Sequence, residues 1–363
     1  MTNNVAGDTI QTMRELYKGD FGMERKYLIA PGGNFYKAAM HTHSTVSDGR
    51  CTPAEVKEIY KSMGYSVVAF TDHSRMVCHN DLTDSDFLAI NGYEFDVTQT
   101  IPGYKSRCYH LNFYAKTPDI DYHVMFDPTT VTWCYSEDEI KTFKYKGEIV
   151  HNEYSIEFVN KAIKEANDNG FLVCYNHPVW SRQYEPDFLP LEGLFAFEIY
   201  NHGAQLDDYN GFNPHMYTSM VSTGKLPGCF ATDDSHMVES KDPTSPHCDA
   251  GGGYIMIKAE ELTYEAIISA LENRDFYAST GVEIQELYIE YGNVYIRTSP
   301  CKQITMITDT KYRQTRRAKG NELTEAVLEF DEDSKVFWIM CEDENGKIGA
   351  TCAHPVEPIK FYA

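Results

Sequence analysis

One pattern recurs along the chain: apolar residues at helical spacing, a glycine stop, a short continuous apolar run, then polar residues. The clearest copy begins at Thr52-Pro53-Ala54-Glu55. A threonine followed three residues later by a glutamate can cap a helix reciprocally, and proline suits the first helical position because an N–H there has no intrahelical partner. Val56, Ile59, Tyr60 and Met63 keep one face apolar, and Gly64 ends the helix. Residues 66–71, β-branched and almost wholly apolar, predict a strand buried on both faces that runs straight into Asp72-His73. A second copy places Ile156, Val159, Ile163 and Ala166 on one helical face, stops at Gly170, and continues as a strand over Phe171–Tyr175 before Asn176-His177-Pro178. Further strand exits are expected at Met40-His41, Asn91-Gly92-Tyr93-Glu94, 197–201 and 230–236.

Alternating helices and buried strands argue for a parallel sheet whose carboxyl edge collects the polar exits, the place where barrel folds carry their chemistry. Past a helix expected around 263–273 the period changes to two. Leu287, Ile289 and Tyr291 share a face, Gly292-Asn293 turns the chain, and Val294 and Ile296 follow. More strands are expected at 303–308, 326–330 and 336–341. The organisation is therefore read as a lead-in over 1–35 with an amphipathic stretch near 13–17, an α/β barrel over 36–281, and a small antiparallel β-sandwich over 282–363. Residues 116–150, acidic and aromatic with Trp133 and Tyr135 among them, interrupt the rhythm as a lid or specificity loop would.

Composition narrows the partners. A formal net charge of -22 over 363 residues disfavours extended contact with nucleic-acid backbones or anionic membranes, which need local excess Lys and Arg. No apolar run reaches a membrane span, and the polar start lacks the layout of a signal peptide. The ten cysteines include no CxxC pair, as expected of reduced thiols in the cytoplasm.

The chemistry gathers at the exits. His41-Thr42-His43 puts two imidazoles on one side of an extended chain, a spacing suited to a single metal ion. Ser47-Asp48-Gly49 turns a carboxylate back toward the same edge, and His73, Glu94, His110, His177, Asp234 and His236 follow. Six histidines and three carboxylates at strand exits would repel and desolvate one another unless cations neutralised them. These motifs, His41-x-His43 with Ser47-Asp48-Gly49, Thr71-Asp72-His73, Gly92-x-Glu94, His110, Asn176-His177-Pro178 and Asp234-x-His236, occur in the order seen in the polymerase and histidinol phosphatase (PHP) superfamily, which the chain resembles from about 36 to 280. The later segment from Phe276 to Gly281 and the β-rich end resemble the branch with an appended sandwich.

That resemblance implies a distorted (β/α)7 TIM-like barrel holding two to three divalent transition metals: Zn, Mn or Fe. His41, His43, Glu94 and Asp234 would hold the first, Glu94 with His110 and His177 the second, and Asp48, His73 and His236 the third. Three divalent ions would outweigh those three carboxylates and one hydroxide by about two charges, enough to draw in a phosphate dianion despite the acidic surface. The expected reaction is hydrolysis of a small phosphate ester, monoester or cyclic diester, by metal-activated water. Asp72 or His202 would protonate the leaving group; Arg75, Arg107 and Arg182 would hold the phosphate. Glu198 and Asn201 are read as support for the ligands. Trp133, Trp180 and Tyr200 could stack on a base or sugar. Two alternatives remain open: cleavage of an amide or carbamate ester by the same centre, and a metal-binding scaffold without turnover. The oligomeric state is left undetermined.

Overall fold

In the computed structural model the local signals act where the sequence places them. Glu55 N donates to Thr52 Oγ1 at 3.2 Å and Thr52 N to the Glu55 carboxylate at 2.7 Å, closing the capping box of the helix Pro53–Ser62. Gly64 then adopts φ +79°, a left-handed conformation that a Cβ would penalise. Ser155 caps the helix Ile156–Asp168, whose buried residues Val159, Ala162, Ile163 and Ala166 form the stripe set by the spacing. The described residues are 25–101, 104–290, 292–331 and 333–356; the amphipathic stretch expected near 13–17 lies outside them.

The strands run in chain order as β1 (Lys26–Ile29), β2 (Asn34–Ala39), β3 (Val67–Phe70), β4 (Leu88–Ile101) and β5 (Tyr104–Ala115), followed by the short β6 (His123–Val124) and β7 (Tyr145–Lys146). Then come β8 (Phe171–Tyr175), β9 (Ala196–Asn201), β10 (Gly228–Thr232), β11 (Tyr254–Ala259) and β12 (Phe276–Ser279). The C-terminal part holds β13 (Ile284–Glu290), β14 (Asn293–Cys301), β15 (Gln303–Thr308), β16 (Arg313–Arg317), β17 (Leu323–Glu329), β18 (Val336–Glu342), β19 (Ile348–Thr351) and β20 (His354–Pro355).

Two sheets carry the architecture. The larger, of 14 strands, has the order β10-β9-β8-β5-β4-β3-β2-β11-β12-β19-β18-β15-β16, with β20 beside β18; the smaller is β1-β13-β14-β17. The expectation of a parallel sheet holds in part: the sheet is mixed. β2, β3 and β4 are parallel, as are β8, β9 and β10, but β5 runs antiparallel to both β4 and β8. The cause is visible in β4, where Phe95 and Val97 are buried while Asp96 and Thr98 are partly exposed. One dry and one wet face favour a hairpin over a helical crossover. A parallel bridge between Thr42 and Ser235 brings the exit of β2 beside that of β10.

The β-rich end is continuous with the rest. β19 pairs with β12, so one layer of the C-terminal part extends the large sheet, and Trp338 of β18 packs edge-on against Tyr217 at 5.3 Å within the main core. Its other side joins β13, β14 and β17 in a second core around Leu287, Ile296 and Phe337, to which β1 adds Ile29. The interruption at 116–150 holds β6, β7, the short helix Glu137–Ile140 and a small cluster of Phe126, Val131, Tyr135 and Phe143. No disulfide links the cysteines, and no helix among the described residues is long and apolar enough to cross a membrane.

Candidate metal centre

Most of the nine expected ligands are delivered within a few residues of a strand end. His41 and His43 follow β2, His73 follows β3, His177 follows β8, and Asp234 and His236 follow β10. Backbone bonds tie two of these exits together: His43 N donates to Ser235 O at 2.9 Å and Asp234 N to His41 O at 3.0 Å. Asp234 takes φ +55°, a strained conformation that aspartate tolerates better than most residues and that recurs at functional sites. Glu94 and His110 correct the expectation that every ligand sits at an exit. They lie inside the β4–β5 hairpin, where His110 is registered against Asp96.

Glu94 is the centre of the cluster. Its Oε1 lies 3.3 Å from His41 Nε2, 3.1 Å from His110 Nδ1 and 3.3 Å from His177 Nε2. Its Oε2 lies 3.0 Å from His73 Nδ1 and 3.6 Å from His43 Nε2. Asp234 Oδ1 faces His41 and His43 at 3.1 and 3.0 Å. Asp48 faces His236 at 3.4 Å, with His73 and His43 at 3.8 and 3.9 Å. Donor atoms close enough to share an ion form four overlapping sets: His41, Glu94 and His177; His41, His43 and Asp234; His73, Glu94 and His110; and His43, Asp48, His73 and His236. His110 therefore groups with His73, and His177 with His41, where the resemblance had paired His110 with His177.

Four of the six rings have one nitrogen held by an outer partner. His41 Nδ1 meets Glu198 Oε1 at 2.8 Å, His110 Nε2 meets Asp96 at 2.6 Å, His177 Nδ1 meets Ser181 Oγ at 3.0 Å, and His236 Nδ1 meets the Asp234 carbonyl at 2.9 Å. An N–H given to an outer acceptor leaves the opposite nitrogen a free lone pair, the arrangement that metal-binding histidines need. His41 Nε2, both nitrogens of His43, His73 Nδ1 and Glu94 Oε2 are buried without a hydrogen-bond partner. Leaving such groups unpaired costs about 1–3 kcal/mol each, and a divalent cation among them would satisfy them together. The residues present fit metal ions.

Electrostatics agree. Burial opposes charge on Glu94 and Asp234, yet neighbouring imidazoles, His110 foremost for Glu94 and His41 for Asp234, hold both carboxyls well below the usual range. Burial, with His236 and His73 close by, lowers His43 to about 4, which keeps it a neutral lone-pair donor.

The other expected residues fall differently. Asp72 is buried and accepts from Ser44 N at 2.7 Å, Ser47 N at 3.0 Å and both serine hydroxyls, so it shapes the turn that presents Asp48. His202 packs beside Tyr200, whose hydroxyl lies 2.9 Å from its Nδ1, and against Gly252, where an added Cβ would come within 2.1 Å of its ring. Arg75 lies over Tyr135 and Phe143. None of the three lines the cavity of about 1370 Å³ that opens onto the cluster. Arg107 and Arg182 do line it, paired with Asp187 and Asp208 respectively. Asn201 reaches both Glu198 and Asp234, at 3.0 and 3.2 Å. Sequence reasoning missed Asp96, although Glu94-x-Asp96 on one strand face was the available signal. It also missed Asp233, which accepts N–H groups of Gly251, Gly252 and Gly253 at 2.8 Å each.

No protein-family model matches the chain, and no curated protein is similar to it. Among solved structures it is similar to a two-domain protein from Bacteroides vulgatus containing a predicted PHP-like metal-dependent phosphoesterase, at 15% identity over 92% of this chain and 99% of that one, with a TM-score of 0.42. A protein from Bifidobacterium adolescentis, provisionally described as a metal-dependent phosphoesterase, shares 15% identity over 60% of this chain and 91% of that one, TM-score 0.37. An amidohydrolase from Chromobacterium violaceum with bound sulfate and no metal shares 16% over 58% and 93%, TM-score 0.37. With superpositions this loose, any functional reading has to stand on the site's own geometry.

Proposed function

We propose that this chain is a metal-dependent hydrolase of the PHP type, cleaving phosphate esters of a small molecule, monoesters or cyclic diesters. The observation that carries the proposal is the convergence of six imidazoles and three carboxylates, with inward atoms of His41, His43, His73 and Glu94 buried and unpaired. On this reading β2, β3, β4, β5, β8, β9 and β10 are the strands of a distorted barrel drawn together at the Thr42–Ser235 bridge, over roughly 36–281, with the sandwich after it.

The nine residues would hold two to three ions within the sets their donor atoms form: His41, His43 and Asp234; His41, Glu94 and His177; His73, Glu94 and His110; and His43, Asp48, His73 and His236, with His41, His43, His73 and Glu94 each common to two sets. Divalent Zn, Mn or Fe there would supply an acidified water and positive charge facing the ester. The chain does the rest. Glu198, Asp96 and Ser181 fix the rings of His41, His110 and His177, and Asp72 fixes the loop of Asp48. Arg107 and Arg182, which line the cavity, would meet the phosphate. Asp72 and His202, outside that lining, position rather than protonate.

The test is phosphate release from nucleotides, sugar phosphates and cyclic phosphates by protein loaded in turn with Zn, Mn and Fe, beside aryl ester and amide cleavage. Release from at least one phosphate ester, lost in Asp234→Asn, is expected. Cleavage of amides or carboxylic esters alone would transfer the chemistry to carbonyl carbon and refute the phosphoesterase assignment.

A further inference from the structure

Two of the chain's three tryptophans stand at the mouth of the same cavity. Trp133 is 55% exposed and Trp180 40%, whereas Trp338 is fully buried. Each indole meets a buried ring of the cluster: Trp133 lies 5.3 Å from His73 and Trp180 5.7 Å from His110, with the two imidazoles 5.6 Å apart between them. Trp180 also lies 5.0 Å from His177. Single exposed apolar side chains are ordinary, but two indoles flanking one polar cluster are a concentrated apolar surface.

Neither indole is loosely held. Trp180 belongs to the turn in which Ser181 N donates to His177 O at 3.1 Å. Trp133 sits in a turn closed by Cys134 N and Tyr135 N, each donating to Val131 O at 3.1 Å, and Tyr135 Oη donates to the His73 carbonyl at 2.5 Å. Each tryptophan is thus tied to the backbone of a proposed ligand while its ring remains open to the cavity. Among the described residues neither indole N–H has a hydrogen-bond partner. Rigid aromatic surface beside a charged centre suits a ligand with a flat ring at one end and a charged group at the other.

We infer that Trp133 and Trp180 form an aromatic rim that selects esters whose organic part carries a planar ring, a nucleobase or an aryl group, and stacks that ring while the phosphate faces the histidine–carboxylate cluster. The inference rests on the phosphoesterase reading for its reaction and on the indoles alone for its selectivity.

The test compares matched esters: adenosine 5′-monophosphate with ribose 5-phosphate, and 1-naphthyl phosphate with cyclohexyl phosphate. They are assayed on the metal-loaded full chain and on Trp133→Ala and Trp180→Ala. The ratio of variant to parent kcat/KM cancels each ester's intrinsic reactivity. Loss of stacking on a base or aryl ring is expected to lower that ratio about 5- to 150-fold for the ring-bearing member of at least one pair, and several-fold less for its ring-free partner. Equal effects on both members of both pairs would overturn the inference while leaving the phosphoesterase reading intact. If none of the four esters releases phosphate, the phosphoesterase reading is decided by the wider panel, and indole fluorescence decides the rim by itself. Saturable quenching by adenosine or 1-naphthol, absent with ribose and cyclohexanol and weakened in the two variants, upholds it; no quenching overturns it.

Discussion

Glu198 offers the sharpest test of how the centre is held. It is fully buried, and each carboxylate oxygen accepts twice: Oε1 from His41 Nδ1 at 2.8 Å and Thr232 Oγ1 at 2.7 Å, Oε2 from His177 N at 2.9 Å and Asn201 Nδ2 at 3.0 Å. Glu198→Gln keeps the shape and replaces one acceptor by a donor. If the amide nitrogen faced His177 N–H and Asn201, two obligatory donors would be left unsatisfied, at about 1–3 kcal/mol each. The better orientation points it at Thr232 and His41. Thr232 can turn to the Tyr200 carbonyl at 3.4 Å, but His41 must then accept at Nδ1 and carry its proton on Nε2. That is the nitrogen facing Glu94 and Asp234. The expected result is a folded variant about 2 kcal/mol less stable, with metal affinity reduced about 10- to 100-fold, as for other outer partners of ligating histidines. Stability is read by urea unfolding, and affinity by competition with a chromophoric chelator. A variant that loses stability but binds metal within twofold of the parent would refute the tautomer reasoning.

Asp234→Asn should leave a folded chain that retains fewer metal ions through gel filtration than the parent, and chelation of the parent should lower its Tm, with recovery on adding metal back, since a ligand at 100 times its Kd stabilises by about 2.7 kcal/mol. Gly253→Ala should cost at least about 2 kcal/mol in urea unfolding, because its Cβ would stand 2.4 Å from the Thr232 carbonyl beside the exit that carries Asp234; unchanged stability would contradict the close packing. His123 is held neutral, accepting Met76 N–H at 2.7 Å and donating to Lys144 O at 2.8 Å, and burial lowers its pKa to about 4. Its folded pKa lies below the ordinary 6.5, so its stabilising contribution is complete above that value and is lost as pH falls through 6.5 toward 4, by about 3 kcal/mol in all. Comparing parent and His123→Gln by urea unfolding at pH 7.5 and 5.0 should show the smaller pH effect in the variant, and equal effects would count against it.

Much of this fold is legible because capping and burial are local. The Thr52–Glu55 box, the glycine stops at 64 and 170, and the apolar run Phe171–Tyr175 each specify an element from neighbouring residues alone. The β4–β5 hairpin was not legible in the same way: the apolar start of β4 reads like its parallel neighbours, and only the alternation beyond Glu94 shows a wet face. The continuity of β12 with β19 also escapes the sequence, since pairing between strands about 70 residues apart leaves no local mark. The nine residues of the cluster stand out because so many histidines and acids at or near buried strands are costly without a cation. The roles of Asp72 and His202 do not, because a side chain's direction depends on partners such as Ser44, Ser47 and Gly252 that only the fold assembles.

The supporting acids explain why so much negative charge surrounds a centre already holding three carboxylates. Asp72, Asp96, Glu198, Asp233 and Asp249 all sit beside the cluster and point their oxygens at N–H or O–H donors. Asp96 and Glu198 grip outer nitrogens of the rings, Asp72 gathers the Ser44–Ser47 turn, and Asp249 takes the amides of His236 and Met237. Each oxygen bound this way is withdrawn from the centre, so these acids orient the inward atoms without competing for a cation. Such a shell of acceptors is stable only while the inner positions carry compensating positive charge, which protons on imidazoles or divalent ions can provide. Metal uptake must therefore displace protons and weaken on acidification, and the same acids that hold the rings in place set how steeply it does so.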